Sequence, residues 1–178
     1  MEFFGIFEGN DKEDCIAEKR PFQGKLPIDM TYDWNQYMYM LDTHPHELLD
    51  TNTSKMRIGL NSFHARPSAP DFAKTIQAEL QDVFALHENK ISNIAFSGFG
   101  PASDSYPWHK DRMDVFLVQV ISTLQLKVEG INNNEFFDFA PGDYVWIPRG
   151  THHQVIPKIS RVTFSFGVEG DLDPSTYF

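Results

Sequence analysis

The sequence predicts a mainly β (α+β) protein in which a few helices precede a barrel or sandwich of short antiparallel strands. Residues at helical spacing occur before residue 90, whereas seven short stretches rich in Val, Ile and Phe follow it. Turn signals such as Asn132-Asn133-Asn134 and Pro141-Gly142 separate these stretches. The connections are too short for helical crossovers, so the sheets should be largely antiparallel.

A local sequence pattern predicts each helix and strand. Residues 1–30 are mixed in character and predict irregular chain with one edge strand. Residues 33–42 have helical spacing with Asp33 as N-cap, and 69–87 form the clearest helix, with Ser68 as cap and Pro70 near the first turn. The predicted strands are Ile91–Phe99, Asp114–Ile121, Thr123–Glu129, Glu135–Phe139, Asp143–Ile147, His153–Ile156 and Arg161–Val168.

Length and composition predict one domain over residues 1–178, since 178 residues with 41% hydrophobic content can bury a core. We divide it into an irregular and helical region (1–90), a β core (91–168) and a tail (169–178). No apolar stretch would span a bilayer and no signal peptide is evident, and the single cysteine, Cys15, is typical of a reducing compartment. These features predict a cytoplasmic protein without membrane association. The net charge of −10 disfavours nucleic acid as a partner.

The candidate functional residues are His109, Asp111 and His153. Residues i and i+2 of a strand point to the same face, so His109 and Asp111 can chelate one ion. His153 begins another predicted strand after the turn Pro148-Arg149-Gly150. Two imidazoles and one carboxylate leave about half of an octahedral metal's positions open, as in non-heme Fe(II) oxygenases. The alternative is a surface hydrogen bond between His109 and Asp111, with His153 an ordinary turn residue.

Two blocks resemble the JmjC-type and ribosomal-oxygenase branch of the 2-oxoglutarate oxygenases. The first is His109–Gln119, with an H-x-D, an Asp-Val-Phe triplet and Gln119 eight residues after Asp111. The second is Pro141–Gln154, which is also similar to the general cupin pattern and selects His153 over His152 as ligand. The resemblance covers roughly residues 91–168. It implies a cupin-like jelly-roll core, the double-stranded β-helix, with N-terminal helices packed outside.

The resemblance also implies catalysis by Fe(II) at His109, Asp111 and His153, with 2-oxoglutarate as cosubstrate and hydroxylation of a substrate. In the resembled branch a Lys or Arg follows the metal Asp by thirteen residues, but Leu124 stands there.

Other side chains are therefore candidates for binding the cosubstrate. A guanidinium matches a carboxylate bidentately, and Arg161 with Thr163 is similar to the arrangement of other 2-oxoglutarate oxygenases. Arg161 could equally face solvent. Tyr106 lies where relatives carry a hydroxyl group that contacts the cosubstrate, or it is a loop aromatic. Lys127 is a weaker candidate, because it should face away from the side of Leu124.

Three functions therefore stay open. The first is an Fe(II)/2-oxoglutarate oxygenase, a dioxygenase acting on a small molecule, a peptide or a protein side chain. The second is a cupin metalloenzyme independent of 2-oxoglutarate, which Leu124 favours. The third is a non-catalytic ligand-binding barrel. The oligomeric state is open, with a homodimer among the alternatives.

Overall fold

The computed structural model describes residues 2–43, 48–52, 57–63, 66–86, 90–100, 103 and 105–169. The helices in this part of the chain are α1 (Asn10–Ala17), α2 (Trp34–Asp42) and α3 (Asp71–Val83). The strands are β1 (Phe22–Lys25), β2 (Leu48–Asn52), β3 (Arg57–Asn61), β4 (Ile91–Gly98), β5 (His109–Lys110), β6 (Asp114–Ile121), β7 (Leu124–Val128), β8 (Phe137–Phe139), β9 (Asp143–Ile147), β10 (His152–Ile156) and β11 (Arg161–Val168). None of the helices in these ranges is long and apolar enough to cross a lipid bilayer.

The strands form two antiparallel sheets. The larger sheet has the order β1-β9-β6-β11-β4-β3-β2, and the smaller has the order β5-β10-β7-β8. The strands β4–β11 are thus divided four and four between the sheets, with neighbours that are distant in sequence, which is the jelly-roll arrangement. Strands β1, β2 and β3 extend the larger sheet at its two edges. The mainly β (α+β) fold class with a jelly-roll core is confirmed.

Strand alternation creates two apolar layers. Odd-numbered positions of β6, such as Val115 and Leu117, face the smaller sheet and pack with Leu124, Leu126 and Val145. Even-numbered positions face the opposite way, where α2 and α3 cover the larger sheet. This outer layer includes Tyr37, Met40, Ile76, Leu80, Phe116, Trp146, Phe164 and Phe166. The helices therefore pack on the outside of the barrel, as predicted, and leave the space between the sheets for a site.

The predicted strands after residue 90 all form, with ends within two residues of the predicted ones. The helix predicted at 33–42 begins after Asp33, whose carboxylate accepts from the Gln36 N–H while the Gln36 side chain accepts from the Asp33 N–H, each at 2.9 Å. The helix predicted at 69–87 is shorter. Its N-cap is Pro70, without a side-chain cap, so the prediction of Ser68 as cap is wrong.

Residues 1–90 hold more regular structure than the irregular and helical region that we predicted. The edge strand expected in residues 1–30 is β1, but α1 also forms there. Strands β2 and β3 were not predicted at all. The tail residues 170–178 lie outside the described residues. The prediction of one domain over the whole chain stays a prediction.

Glu79 attaches the N-terminal segment to α3. Its side chain is 2% exposed and its carboxylate accepts hydrogen bonds from the backbone N–H groups of Phe4 (2.8 Å) and Ile6. A buried carboxylate with two backbone donors stabilises the attachment of this segment, since either donor would be left unpaired without it. Residues 4–7 contribute Ile6 and Phe7 to the outer apolar layer.

We expect Glu79→Gln to lower the free energy of unfolding by about 1–3 kcal/mol, because an amide has only one oxygen for the two donors. Urea denaturation followed by circular dichroism measures this. Asp82→Asn, at an exposed position of the same helix, is the matched control and should change little. Equal stabilities of the two variants would contradict this role of Glu79.

Candidate metal centre

The structure brings His109, Asp111 and His153 together. His109 lies on β5, Asp111 follows that strand directly, and His153 on β10 is paired in register with His109. One ligand atom from each residue lies within 4.8 Å of the others. His109 Nε2 is 3.8 Å from Asp111 Oδ1, and His153 Nε2 is 3.4 Å from Asp111 Oδ2. Ligands about 2.1 Å from an ion and at right angles lie about 3 Å apart, so a small closure would complete the geometry.

The turn that precedes His153 is bonded to the segment that carries Asp111. Gly150 has a φ of 79°, in the left-handed region that suits glycine, and its N–H donates to the Asp111 carbonyl at 3.0 Å. The Arg149 N–H donates to Asp114 Oδ1 at 2.7 Å. These bonds join the two segments that carry the resemblance, so the turn of the second segment positions Asp111 in the first.

Hydrogen bonds set both imidazoles for metal binding. His109 Nδ1 lies 2.7 Å from the Pro107 carbonyl, and His153 Nδ1 lies 3.2 Å from the Thr151 carbonyl. A carbonyl oxygen can only accept, so each Nδ1 carries a proton, and in the neutral imidazole the lone pair is then on Nε2. In metal sites, a hydrogen bond from the ring nitrogen that does not bind the metal orients a ligating histidine in this way. The donor set of two Nε2 atoms and a carboxylate therefore fits a divalent transition metal.

Burial favours the ligating form of His153. Its side chain is 6% exposed, against 30% for His109 and 37% for Asp111. Desolvation lowers the pKa of His153, while the Asp111 charge opposes this shift and His109 adds to it. His153 is therefore neutral at neutral pH, the form in which an imidazole binds a metal.

A cavity of about 310 Å³ adjoins the three residues and lies between the two sheets. Part of its wall is apolar and includes Ile94, Phe96, Val115, Leu117 and Val155. A second part is polar, with guanidinium and hydroxyl groups along the first half of β11 and the facing strands. The volume suits a small organic molecule bound beside a metal.

Arg161 lies at this polar part of the cavity. Its side chain is buried, 6% exposed, so it does not face solvent. It is paired in register with Gly98 of β4, and its guanidinium lies over that glycine and donates to the Ser103 hydroxyl. A Cβ at residue 98 would overlap the Arg161 Nη1 atom. A larger residue at 98 would therefore displace the Arg161 guanidinium, which sequence patterns did not indicate.

Thr163 also lines the cavity, two residues further along β11. Its hydroxyl donates to Gln119 Oε1 at 2.6 Å, and Gln119 Nε2 donates to the Ile121 carbonyl at 2.8 Å and to the Ser122 carbonyl. Because Nε2 faces two carbonyls, the amide orientation is fixed and Thr163 must be the donor. To donate to a bound carboxylate, Thr163 would have to give up the bond to Gln119.

Tyr106 connects the metal residues with a second arginine. Its ring is 5.5 Å from the His109 ring and 6.4 Å from the Phe96 ring, measured between centroids. The Arg57 guanidinium of β3 lies 4.6 Å above the Tyr106 ring. Both Tyr106 and Arg57 line the cavity, although Tyr106 is also 43% exposed. Sequence reasoning missed Arg57, because nothing in its neighbourhood resembles a site motif.

Three further positions bear on the choice of site residues, and of these Lys127 and His152 point as the sequence predicted. Leu124 is fully buried in the apolar layer between the sheets, so this position offers an apolar side chain and no cation to a ligand. Lys127 faces the other way, with its amino group 4.7 Å from the Trp108 ring centroid. His152 also points outward, stacks on Trp108 and lies 3.1 Å from Glu129 Oε2 through Nδ1.

Few of the aromatic residues close in sequence to His109, Asp111 and His153 line the cavity. Of Phe99, Tyr106, Trp108, Phe116 and Trp146, only Tyr106 is among the described residues that line the cavity. Phe116 and Trp146 belong to the outer layer beneath the helices.

Comparisons with known proteins bear on the fold. No protein-family model matches this chain, and no curated protein matches its sequence. Among solved structures, YcfD, a ribosomal oxygenase from Escherichia coli, is similar, with a TM-score of 0.63 and 14% identity over 99% of this chain and 55% of that chain. This chain has the fold of the part of YcfD that it matches. It spans about half the length of that protein.

Two further YcfD structures give the same result. The complex with cobalt and 2-oxoglutarate has a TM-score of 0.62 and 15% identity, covering 96% of this chain and 54% of that chain. The complex with cobalt and succinic acid has a TM-score of 0.61 and 16% identity, covering 94% of this chain and 53% of that chain.

Proposed function

We propose that this chain is an Fe(II)- and 2-oxoglutarate-dependent oxygenase that hydroxylates a small molecule, a peptide or a protein side chain. The observation that carries the proposal is the convergence of His109, Asp111 and His153 beside a cavity that also contains Arg161. YcfD, which shares the fold, is a ribosomal oxygenase whose structures include 2-oxoglutarate with cobalt. That likeness in fold supports the proposed oxygenase reaction, which the site residues of this chain would have to carry out.

Each residue has a defined task in this proposal. His109 Nε2, His153 Nε2 and one Asp111 oxygen would hold the metal from one side and leave the other positions to ligands. Fe(II) and 2-oxoglutarate, when bound, supply activation of O₂ through oxidative decarboxylation. Arg161 would bind the far carboxylate of the cosubstrate bidentately. The apolar wall formed by Val115, Leu117 and Val155 would exclude water from the reacting groups.

Tyr106 and Thr163 have supporting tasks. The contact between the Tyr106 and His109 rings places the tyrosine next to the metal residues, where its hydroxyl can contact the cosubstrate. Thr163 lies in the same polar part of the wall as Arg161. Its hydroxyl donates to Gln119, so to support cosubstrate binding Thr163 would have to turn that hydroxyl from Gln119 to a ligand carboxylate.

Turnover of 2-oxoglutarate tests the proposal. Purified protein with Fe(II), ascorbate, 2-oxoglutarate and O₂ should form succinate, and omission of Fe(II) or O₂ should stop it. Slow formation without a primary substrate suffices, because uncoupled turnover needs only the metal and the cosubstrate. Succinate formation equal to that of a His153→Ala variant would contradict the proposal.

A cupin metalloenzyme independent of 2-oxoglutarate is the second candidate, and Leu124 favours it. The buried leucine occupies the position at which the resembled branch carries its cation. Calorimetry with the Mn(II)-loaded protein separates the two candidates. Binding of 2-oxoglutarate supports the oxygenase, whereas metal binding without 2-oxoglutarate binding supports the second candidate. A protein that binds neither would fit a ligand-binding barrel.

A further inference from the structure

Two connections between the sheets run side by side at the candidate metal centre. The first, residues 111–113, leads from β5 of the smaller sheet to β6 of the larger sheet and contains Asp111. The second, residues 148–151, leads from β9 of the larger sheet to β10 of the smaller sheet, where His153 lies. The spacing between these two connections therefore helps to determine the distance from Asp111 to His153.

Strand pairing joins the two connections at their ends. In the smaller sheet His109 pairs with His153, and in the larger sheet Val115 pairs with Ile147. The first of these ends is short, because β5 is only two residues long. Between the two ends, the connections are joined by hydrogen bonds that do not belong to either sheet.

Two consecutive N–H groups of the second connection make these bonds. The Gly150 N–H donates to the Asp111 carbonyl at 3.0 Å, and the Arg149 N–H donates to Asp114 Oδ1 at 2.7 Å. The first bond joins two backbone groups, so it does not depend on which side chains are present. The second bond needs the carboxylate of Asp114, the first residue of β6. The side chain at position 114 therefore controls one of the two links.

The backbone donor, rather than the arginine side chain, fixes the Asp114 carboxylate. Arg149 Nε lies 3.7 Å from Asp114 Oδ1, which is beyond hydrogen-bond distance, whereas the Arg149 backbone nitrogen lies at 2.7 Å. The Asp114 side chain is 17% exposed, so water has little access to replace the carboxylate as acceptor. Loss of the carboxylate would leave the turn without this partner.

We propose that Asp114 is a positioning residue of the candidate metal centre, because its carboxylate holds the turn before His153 against the segment that contains Asp111. The proposal rests on the metal centre of the function proposed above. His153 Nε2 is 3.4 Å from Asp111 Oδ2, and ligands of one ion lie about 3 Å apart, so the affinity is sensitive to the spacing of the two connections. Asp114 is not one of the three residues whose ligand atoms converge.

Titration of the metal-free protein with Co(II) tests this role, since the visible absorption of bound Co(II) depends on ligand geometry. Asp114→Ala should weaken Co(II) binding by roughly ten-fold or more and change the spectrum, as expected when a residue that orients metal ligands is lost. Asp114→Asn keeps an acceptor oxygen at the same distance from the backbone, so it should retain the wild-type spectrum. Asp114→Glu keeps the charge but is one methylene longer, so it should resemble Asp114→Ala.

Asp143 provides a matched control for a purely structural effect. Its Oδ2 accepts from the Ala140 N–H at 2.8 Å, a bond of the same kind at the opposite end of β9. Asp143→Ala should lower the stability of the metal-free protein about as much as Asp114→Ala does, but it should leave the affinity for Co(II) and the spectrum unchanged. Urea denaturation followed by circular dichroism compares the stabilities.

The outcomes distinguish this role from the proposed function. Wild-type Co(II) affinity and spectrum in Asp114→Ala, or equal losses of affinity in Asp143→Ala, overturn the role of Asp114 and leave the proposed function standing. If Asp114→Ala does not fold, the longer and the neutral variants decide, and wild-type binding by Asp114→Glu overturns the role. A wild-type protein that does not bind Co(II) overturns both this role and the metal centre.

Discussion

Asp111→Ala should abolish divalent-metal binding while the fold remains. Asp111 is the residue whose two oxygens face both histidines, at 3.8 Å from His109 Nε2 and 3.4 Å from His153 Nε2. Without it, only two imidazole ligands remain among these three residues, and no carboxylate compensates the charge of the ion. We expect the affinity for Mn(II) or Fe(II) to fall by more than about 100-fold. This is more than the loss expected when a residue that only hydrogen-bonds to a metal ligand is removed. His109→Ala and His153→Ala should behave in the same way.

The adjacent histidine provides the control. His152→Ala changes the same residue type one position from His153, but its side chain points away and contacts Trp108 and Glu129. Metal content after dialysis, measured by mass spectrometry, should be equal in His152→Ala and wild type and near zero in Asp111→Ala. Circular dichroism shows whether each variant is folded. Full metal content in Asp111→Ala, or equal losses in His152→Ala and His153→Ala, would contradict the assigned ligands.

The convergence of His109, Asp111 and His153 could be predicted because their relation depends on short spacings. His109 and Asp111 are two apart, and the turn Pro148-Arg149-Gly150 sets the start of the strand with His153. The resemblance then joined the two blocks. The structure adds the physical link, a bond between the Gly150 N–H and the Asp111 carbonyl. Strand β5 is only two residues long, so its pairing with β10 could not be inferred from β propensity.

Arg57 and Gly98 could not be predicted, because their importance arises from sheet register between distant strands. The pairing of β3 with β4 places Arg57 beside Gly98, and no local pattern specifies that register. Which aromatic residues face the cavity could not be predicted either, for a related reason. Positions 115–121 of β6 are all buried, so alternation does not show whether Phe116 faces the cavity or the helices. On β11 the alternation of polar and apolar residues put Arg161 and Thr163 on one face but left open whether that face meets solvent or the cavity.

Arg161→Ala should weaken 2-oxoglutarate binding strongly while sparing the metal. The guanidinium is buried in the cavity wall and lies over Gly98, whereas His109 and His153 lie on β5 and β10 and Asp111 directly follows β5. Loss of a bidentate contact to a carboxylate predicts a fall in affinity of roughly 100-fold. Calorimetry on the Mn(II)-loaded protein measures it. Lys127→Ala is the control, because this cation contacts Trp108 on the opposite side of the strand.

Gly98→Ala tests the same site without removing a charge. The added methyl group would overlap the Arg161 guanidinium and crowd the Ser103 hydroxyl, so the arginine must move from its position above residue 98. The backbone at Gly98 is not left-handed, so alanine causes no backbone strain there. The effect of the substitution therefore comes from the volume of the added methyl group. We expect weaker 2-oxoglutarate binding with unchanged Mn(II) affinity, in the same direction as Arg161→Ala. If both variants bind 2-oxoglutarate as tightly as wild type, Arg161 is not the anchor, and the cosubstrate, if there is one, binds elsewhere in the cavity.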